Sequence, residues 1–344
     1  MPRLGSAGQG PRIRIGTAYV RSGSLARDNP PMRWQAKAAI QGAISVGPRT
    51  SSLNYLLQRH LTRNLPRPIE GFRQHAAEAA VHVDTLSRWS SQPLAEARAY
   101  EFGAGWDLVG PLMTYCLGID SQTLVDIRPN VRLELINHTL GRIRDDREYL
   151  EDALGRELRM PGDTPLRSLD QLEPRFGIRY LAPCDARASG LPGDQFDLIS
   201  STFTLEHIPA RDIAAILPES LRLLAPGGVL SSAIDMKDHY SYFDPAICSY
   251  NFLKFSPRRW RLVNPSVHFQ NRLRRSDYLE LFARAGFSLV DEQTRWAGDE
   301  ELAQIAKLET AAEFDRYERD DLGALELRIV ATSAESERDR AQPS

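Results

Sequence analysis

The chain has 344 residues, 42% of them hydrophobic and 26% charged, enough to bury one large core plus additions. Its 43 Lys and Arg nearly balance 45 Asp and Glu, a formal net charge of -2, so no global field draws it to nucleic acid or acidic surfaces. Cys116, Cys184 and Cys248 are far apart and indicate neither a disulfide framework nor a thiolate zinc site, and no apolar run reaches the roughly 18 to 20 residues of a spanning helix. With no apolar core of a secretory signal at the N-terminus, these features predict a cytoplasmic protein.

Residues 1–31 are rich in Gly, Ser, Pro and Arg without a sustained period and predict a flexible tail. Its Arg-rich, acid-poor composition suits a transit peptide or a misassigned start upstream of Met32. Residues 32–92 predict a helical extension. Trp34, Ala38, Ile40 and Ile44, then Leu53, Leu56, Leu57 and Leu61, fall at helical spacings broken by Gly47-Pro48, Pro66 and Pro68. From Met32 to Ile69 the chain carries Arg33, Lys37, Arg49, Arg59, Arg63 and Arg67 and no acid. This bias reads first as the solvated face of a packed helix pair, then as a lid, a dimer contact or a peripheral membrane patch.

Residues 93–334 alternate short β-rich runs with helical stretches, the signature of a parallel sheet covered by helices. Seven strands are predicted near Ala99 to Phe102, Thr123 to Ile127, Ile178 to Leu181, Phe196 to Ser201, Val229 to Ile234, Ser288 to Thr294 and Leu325 to Thr332. Helices are expected from Asp107, Asn130, Ala210 and Ser276, the last capped by Ser276-Asp277 and followed by Gly286. Pro218 should kink the third or split it. Insertions at 141–174 and 297–323 read as solvent-facing helical additions, and residues 335–344 as a disordered tail.

The first strand runs into Glu101-Phe102-Gly103-Ala104-Gly105-Trp106-Asp107, a glycine turn before a helix, where backbone can approach a ligand closely. Asp126 and Ile127 follow at the end of the second strand, where an acid can accept hydrogen bonds from ribose hydroxyls. Further segments come in order: Cys184-Asp185-Ala186 with Leu191-Pro192, Phe196 to Ile199 with Leu205-Glu206-His207-Ile208, and Leu223 to Leu230 with its Pro226-Gly227-Gly228 turn. Over about residues 97 to 295 the chain resembles class I, Rossmann-like S-adenosylmethionine-dependent methyltransferases, similar to bacterial enzymes acting on small molecules and glycans. The resemblance implies an α/β fold with a seven-stranded, mostly parallel, doubly wound sheet and an antiparallel last strand at Leu325 to Thr332. It implies that Glu101 and Gly103, Ala104 and Gly105 hold the methionine part, Asp126 with Ile127 the ribose, Asp185 with Ala186 the adenine, with Thr202 nearby.

The turn also lacks the third glycine of a dinucleotide fingerprint. Leu108 stands in its place, and Asp107 just before it would repel a pyrophosphate but not a sulfonium nucleoside. Trp106 either narrows the pocket or packs on the following helix.

Residues after the fourth and fifth strands should face the methyl acceptor: Thr202, Phe203, Glu206 and His207, then Asp235, Lys237, Asp238, His239, Tyr240, Tyr242 and Phe243. His239 is the candidate base, needed when the acceptor is a hydroxyl, whereas His207 reads as structural. The aromatic and basic stretch Tyr250 to Arg275 is expected to wall an acceptor pocket for a small molecule or glycan, methylated at O or N, with no nucleic acid partner. Without HExxH or similar spacing, no metal is expected. A catalytically silent methyltransferase-like binding module and, behind it, a nicotinamide-dependent oxidoreductase are the alternative readings.

Overall fold

The computed structural model describes residues 33–45, 55, 58–59 and 65–334; the readings of 1–31 and 335–344 as tails fall outside them. Seven strands form one sheet in the order β3-β2-β1-β4-β5-β7-β6: β1 (Arg98–Phe102), β2 (Ser121–Val125), β3 (Ile178–Leu181), β4 (Phe196–Thr202), β5 (Leu224–Asp235), β6 (Phe287–Trp296) and β7 (Ala324–Ser333). The first five pair in parallel, and β7 inserts antiparallel between β5 and β6.

Both faces of the sheet are covered, which is why its strands are apolar on both sides. Ala99, Leu198, Val229 and Val330 join one core cluster, while Tyr100, Phe102, Ile199 and Leu230 join the other. The first face packs on α2 (Ile69–Trp89), whose buried stripe Phe72, Ala76, Ala79, Ala80, Val83 and Leu86 repeats at helical spacing. The small alanines let the helix lie close to the strands. This helix is thus a layer of the sheet's core. Before it runs α1 (Trp34–Ser45), whose Trp34 and Ala38 belong to a third cluster with Tyr240, Tyr250, Phe252 and Trp260.

The same face carries α3 (Val109–Cys116), α4 (Leu133–Asp145), α5 (Arg147–Leu154) and α6 (Leu172–Phe176). The insertion at 141–174 is not merely solvent-facing, because Ile143, Leu150, Leu158, Leu166 and Leu172 are buried in that core. The insertion at 297–323 likewise sends Ile305, Phe314 and Leu322 into the third cluster.

On the opposite face, α7 (Ala210–Leu223) continues through Pro218 as one helix, so the expected split into two does not occur. Its buried residues Ile213, Ile216, Leu217, Ser220 and Leu223 hold it to the sheet. Pro218 and Ala214 lie on its exposed side, where water can satisfy the carbonyl that the missing N–H leaves free. After the short α8 (Pro257–Val263), α9 (Arg275–Arg284) begins one residue earlier than expected. Asp277 caps it by accepting the Arg274 backbone N–H at 2.8 Å, while the Ser276 hydroxyl turns to Asp321.

Candidate active site

The strand order reverses between β1 and β4, and the crevice at the carboxyl ends of strands on either side of such a point is where open α/β sheets bind ligands. Here it is a cleft of about 530 Å³. One end is built from the turn after β1. Gly103 and Gly105 have φ of 79° and 80°, which glycine adopts without strain. A Cβ on Gly103 would meet the Thr204 side chain at 2.3 Å, while one on Gly105 would meet nothing within 4 Å and project into open space.

Two carboxylates, Glu101 and Asp126, line this end, both buried. Burial, with Asp126 nearby, pushes the Glu101 carboxyl up to about 8; the Ser200 hydroxyl, 3.4 Å away, opposes this weakly. Burial raises Asp126 to about 7 against a long hydrogen bond from the Tyr180 hydroxyl. Among the described residues neither acid forms an ion pair. Such a pair of under-compensated carboxylates beside a glycine turn fits a ligand bringing an ammonium and hydroxyl donors.

Trp106 lines the cleft and stacks on Tyr55, ring centroids 5.6 Å apart. Asp107 does not play its expected repulsive part. Arg67 grips its carboxylate with two hydrogen bonds of 2.9 and 3.1 Å; burial works to raise the acid, but Arg67 outweighs this and holds it below its ordinary value. The absence of the third glycine remains, but the charge argument against a phosphate does not.

Ile127, Asp185 and Ala186 are not brought into the cleft wall. Ile127 is 63% exposed beyond β2. Asp185 is held by Arg187 at 2.7 Å, and Ala186 packs on the second core cluster. The Cys184 N–H donates to the Asp126 carbonyl at 2.8 Å, so their loop adjoins the acid end all the same. Thr202 does line the cleft, its hydroxyl engaged by His82, which also contacts Ser231.

The other end is lined by His207, His239, Tyr242 and Phe243, with Ser266 to Phe269 and, from α1, Lys37 and Gln41. His239 and His207 stack edge to face at 4.9 Å, and His268 lies 6.1 Å from His239. His207 keeps an open edge on the cleft; enclosure by protein and then His239 pull it below its ordinary value. Its Nδ1 sits 2.8 Å from the Phe269 carbonyl, so Nδ1 carries the proton and Nε2 the lone pair. His239 Nε2 is 3.5 Å from the Asp235 carboxylate, too long for a good hydrogen bond. Burial raises Asp235, but Lys237, His239 and the Tyr242 hydroxyl together hold it well below the usual carboxylate range. Behind His207, Glu206 is 1% exposed, and burial followed by Asp235 pushes its carboxyl well above the usual range. Backbone N–H groups of Glu206 and Asp235 face that carboxylate without closing a hydrogen bond to either oxygen.

Several expectations for this end change. Asp238 and Tyr240 are buried, Tyr240 donating to the Val263 carbonyl, and Lys237 pairs with Glu326 at 2.6 Å. Of Tyr250 to Arg275 only Ser266 to Phe269 reach the cleft: Tyr250, Phe252 and Trp260 are core, Arg274 donates to backbone carbonyls, and Arg272 binds carbonyls and Glu313. Lys37 and Arg67 turn inward, Lys37 over the Phe243 ring, so the two do not present their charge to a membrane surface. His268 belongs to the stretch expected to wall the pocket, whereas His75, Lys37 and Gln41 join the cleft wall without any local pattern in the sequence that marks them.

A family model described as a methyltransferase domain matches residues 70–292, almost two thirds of the chain. The chain belongs to this methyltransferase family. S-adenosylmethionine is the methyl donor of these enzymes, and the acid end, the glycine turn and the cleft volume suit it. Membership sets the nicotinamide reading aside. No curated protein matches the sequence. Among solved structures, the methyltransferase resembles an S-adenosylmethionine-dependent methyltransferase from Mesorhizobium loti at 16% identity, covering 74% of this chain and 99% of that one, with a TM-score of 0.40. A TehB-like enzyme from Corynebacterium glutamicum is 14% identical, with 83% and 100% covered and a TM-score of 0.40. Phosphoethanolamine N-methyltransferase 2 from Haemonchus contortus, solved with S-adenosyl-L-methionine, is 15% identical, with 88% and 60% covered and a TM-score of 0.44.

Proposed function

We propose that this methyltransferase transfers its methyl group to a hydroxyl or amine of a small molecule or glycan held at the histidine-lined end of the cleft. The observation that carries this reading is the cleft's polarity: two buried acids and a glycine turn at one end, and His207, His239, His268 and Tyr242 at the other. S-adenosylmethionine supplies a methyl group activated by its sulfonium. Glu101 would take the ammonium of its methionine part against the Gly103, Ala104 and Gly105 backbone, Asp126 the ribose hydroxyls, and the Asp185-Ala186 loop beyond Asp126 the adenine. Ile127 and Thr202 border these contacts.

Methyl transfer is an in-line displacement, so the chain's main task is alignment of the acceptor with the methyl carbon. His239 is the catalytic residue proposed at the acceptor end, where it promotes loss of the acceptor's proton. Replacing it by Gln is expected to leave cofactor affinity nearly unchanged and to lower turnover roughly 100-fold or more. The assay is release of S-adenosylhomocysteine across a panel of hydroxylated and amine-bearing metabolites and oligosaccharides. Cofactor binding without turnover of any acceptor would favour the silent binding module instead, and full activity in the His239→Gln variant would remove His239 from the chemistry.

A further inference from the structure

Glu206, His207 and His239 come from two loops that follow β4 and β5, yet each offers a ligand atom within 4.8 Å of the others'. Both Glu206 oxygens and His239 Nε2 are buried without a hydrogen-bond partner, and so is the nearby His268 Nε2. Four orphaned polar atoms in one chamber are not what a finished hydrogen-bond network leaves. The His207 ring donates one N–H to a backbone carbonyl, as metal-binding imidazoles commonly do, and so keeps a lone pair on its other nitrogen. Its exposed edge also leaves the chamber open to the cleft.

We propose that Glu206, His207 and His239 bind a divalent transition-metal ion, of the manganese to zinc class, whose open coordination positions take the hydroxyl oxygen of the methyl acceptor. Two imidazoles and one carboxylate suit such ions and leave positions for substrate. The inference rests on the reading of this end as the acceptor end, and it specifies how His239 acts there: its lone pair serves the ion, and the ion carries the hydroxyl through deprotonation. The acceptor O–H loses its proton to solvent through the cleft. The oxygen then forms the O–CH3 bond as the C–S bond breaks, and its electron pair leaves with S-adenosylhomocysteine. Charge balances, since a sulfonium and a hydroxyl give a thioether, an ether and a proton. A hydroxyl acceptor is thereby favoured over an amine.

The test uses the full chain without a polyhistidine tag, stripped with a chelator. Titration with Co2+ is expected to give one site and the visible absorption of a low-coordinate ion, and Zn2+ and Mn2+ should compete for it. His207→Gln and Glu206→Gln should each weaken Co2+ binding at least about tenfold, with S-adenosylmethionine affinity unchanged as the control for folding. His207 keeps the test decisive if the buried Glu206 variant fails to fold. Absence of Co2+ binding, or binding that survives the His207 change, overturns the proposal. So does methyl transfer that persists in the stripped enzyme, which would leave the proposed function standing. Specific metal binding without turnover of any acceptor would uphold the ion site while sinking that function.

Discussion

Glu101 gives up its hydration on folding and pairs with no cation among the described residues, so its carboxyl stays protonated up to about 8 in place of its ordinary 4.5. The unfolded chain releases this proton first. Between those two values the folded state therefore binds more protons, and Glu101 costs stability as pH rises through that window. An ammonium docked against it favours the ionised form, so S-adenosylmethionine binding near neutrality should release a proton and tighten as pH approaches about 8, with Asp126 adding in the same direction from about 7. Calorimetry in buffers of different ionisation heat reads this, and Glu101→Gln should reduce the release; an unchanged proton count in that variant would place the ammonium elsewhere. Asp126→Ala should weaken cofactor binding by about 1.5 to 3 kcal/mol, the scale for hydrogen bonds to a charged group. Gly105→Val should also abolish tight binding, because a side chain there combines an unfavourable φ of 80° with projection into the cleft. Normal affinity in a folded Gly105→Val protein would mean that the ligand does not approach this turn.

Pro218 shows at the level of elements how tertiary packing overrides a local breaker. The buried stripe of α7 keeps the helix whole although proline removes a donor from its interior. Pro218→Ala should therefore stabilise the protein by about 1 to 2 kcal/mol, the regained helix less the entropy that proline takes from the unfolded chain. Urea titration is the measurement, and a lower midpoint would show that the proline ring packs productively. At α9, which starts one residue before Ser276, both Ser276 and Asp277 look like caps in sequence. Only Asp277 acts as one, because Asp321 from the 297–323 insertion takes the Ser276 hydroxyl.

Across the whole molecule, three core clusters are tied by segments remote in sequence. Trp34 N–H, for instance, donates to Asp244 across 210 residues. A cofactor that binds only the folded chain should raise its melting temperature. At roughly 100 times the dissociation constant the gain is about 2.7 kcal/mol, or roughly 4 °C for a protein of this length. S-adenosylmethionine and S-adenosylhomocysteine should give this shift in thermal melts, while NAD(H) should not; the opposite result would contradict the cofactor assignment. Among the described residues no helix is long and apolar enough to cross a membrane.

The sheet and its glycine turn were legible in the amino acids because both depend on local pattern. Strands buried on both faces carry apolar residues toward each, as Leu198 and Ile199 do in β4, and a backbone with positive φ at Gly103 and Gly105 selects glycine. Asp126 could be placed because a strand end has a fixed distance from the turn before it. What sequence left open depends on which distant side chains share a space. The Arg67–Asp107 pair reverses a charge argument that looked sound along the chain, and α2 joins the sheet core that its position seemed to precede. The gathering of Glu206, His207, His239 and His268 has no period to betray it, since three loops set their separation after the sheet has formed. Only the closed fold brings those loops within a few ångströms, and there burial decides which polar atoms find a partner and which are left for a ligand.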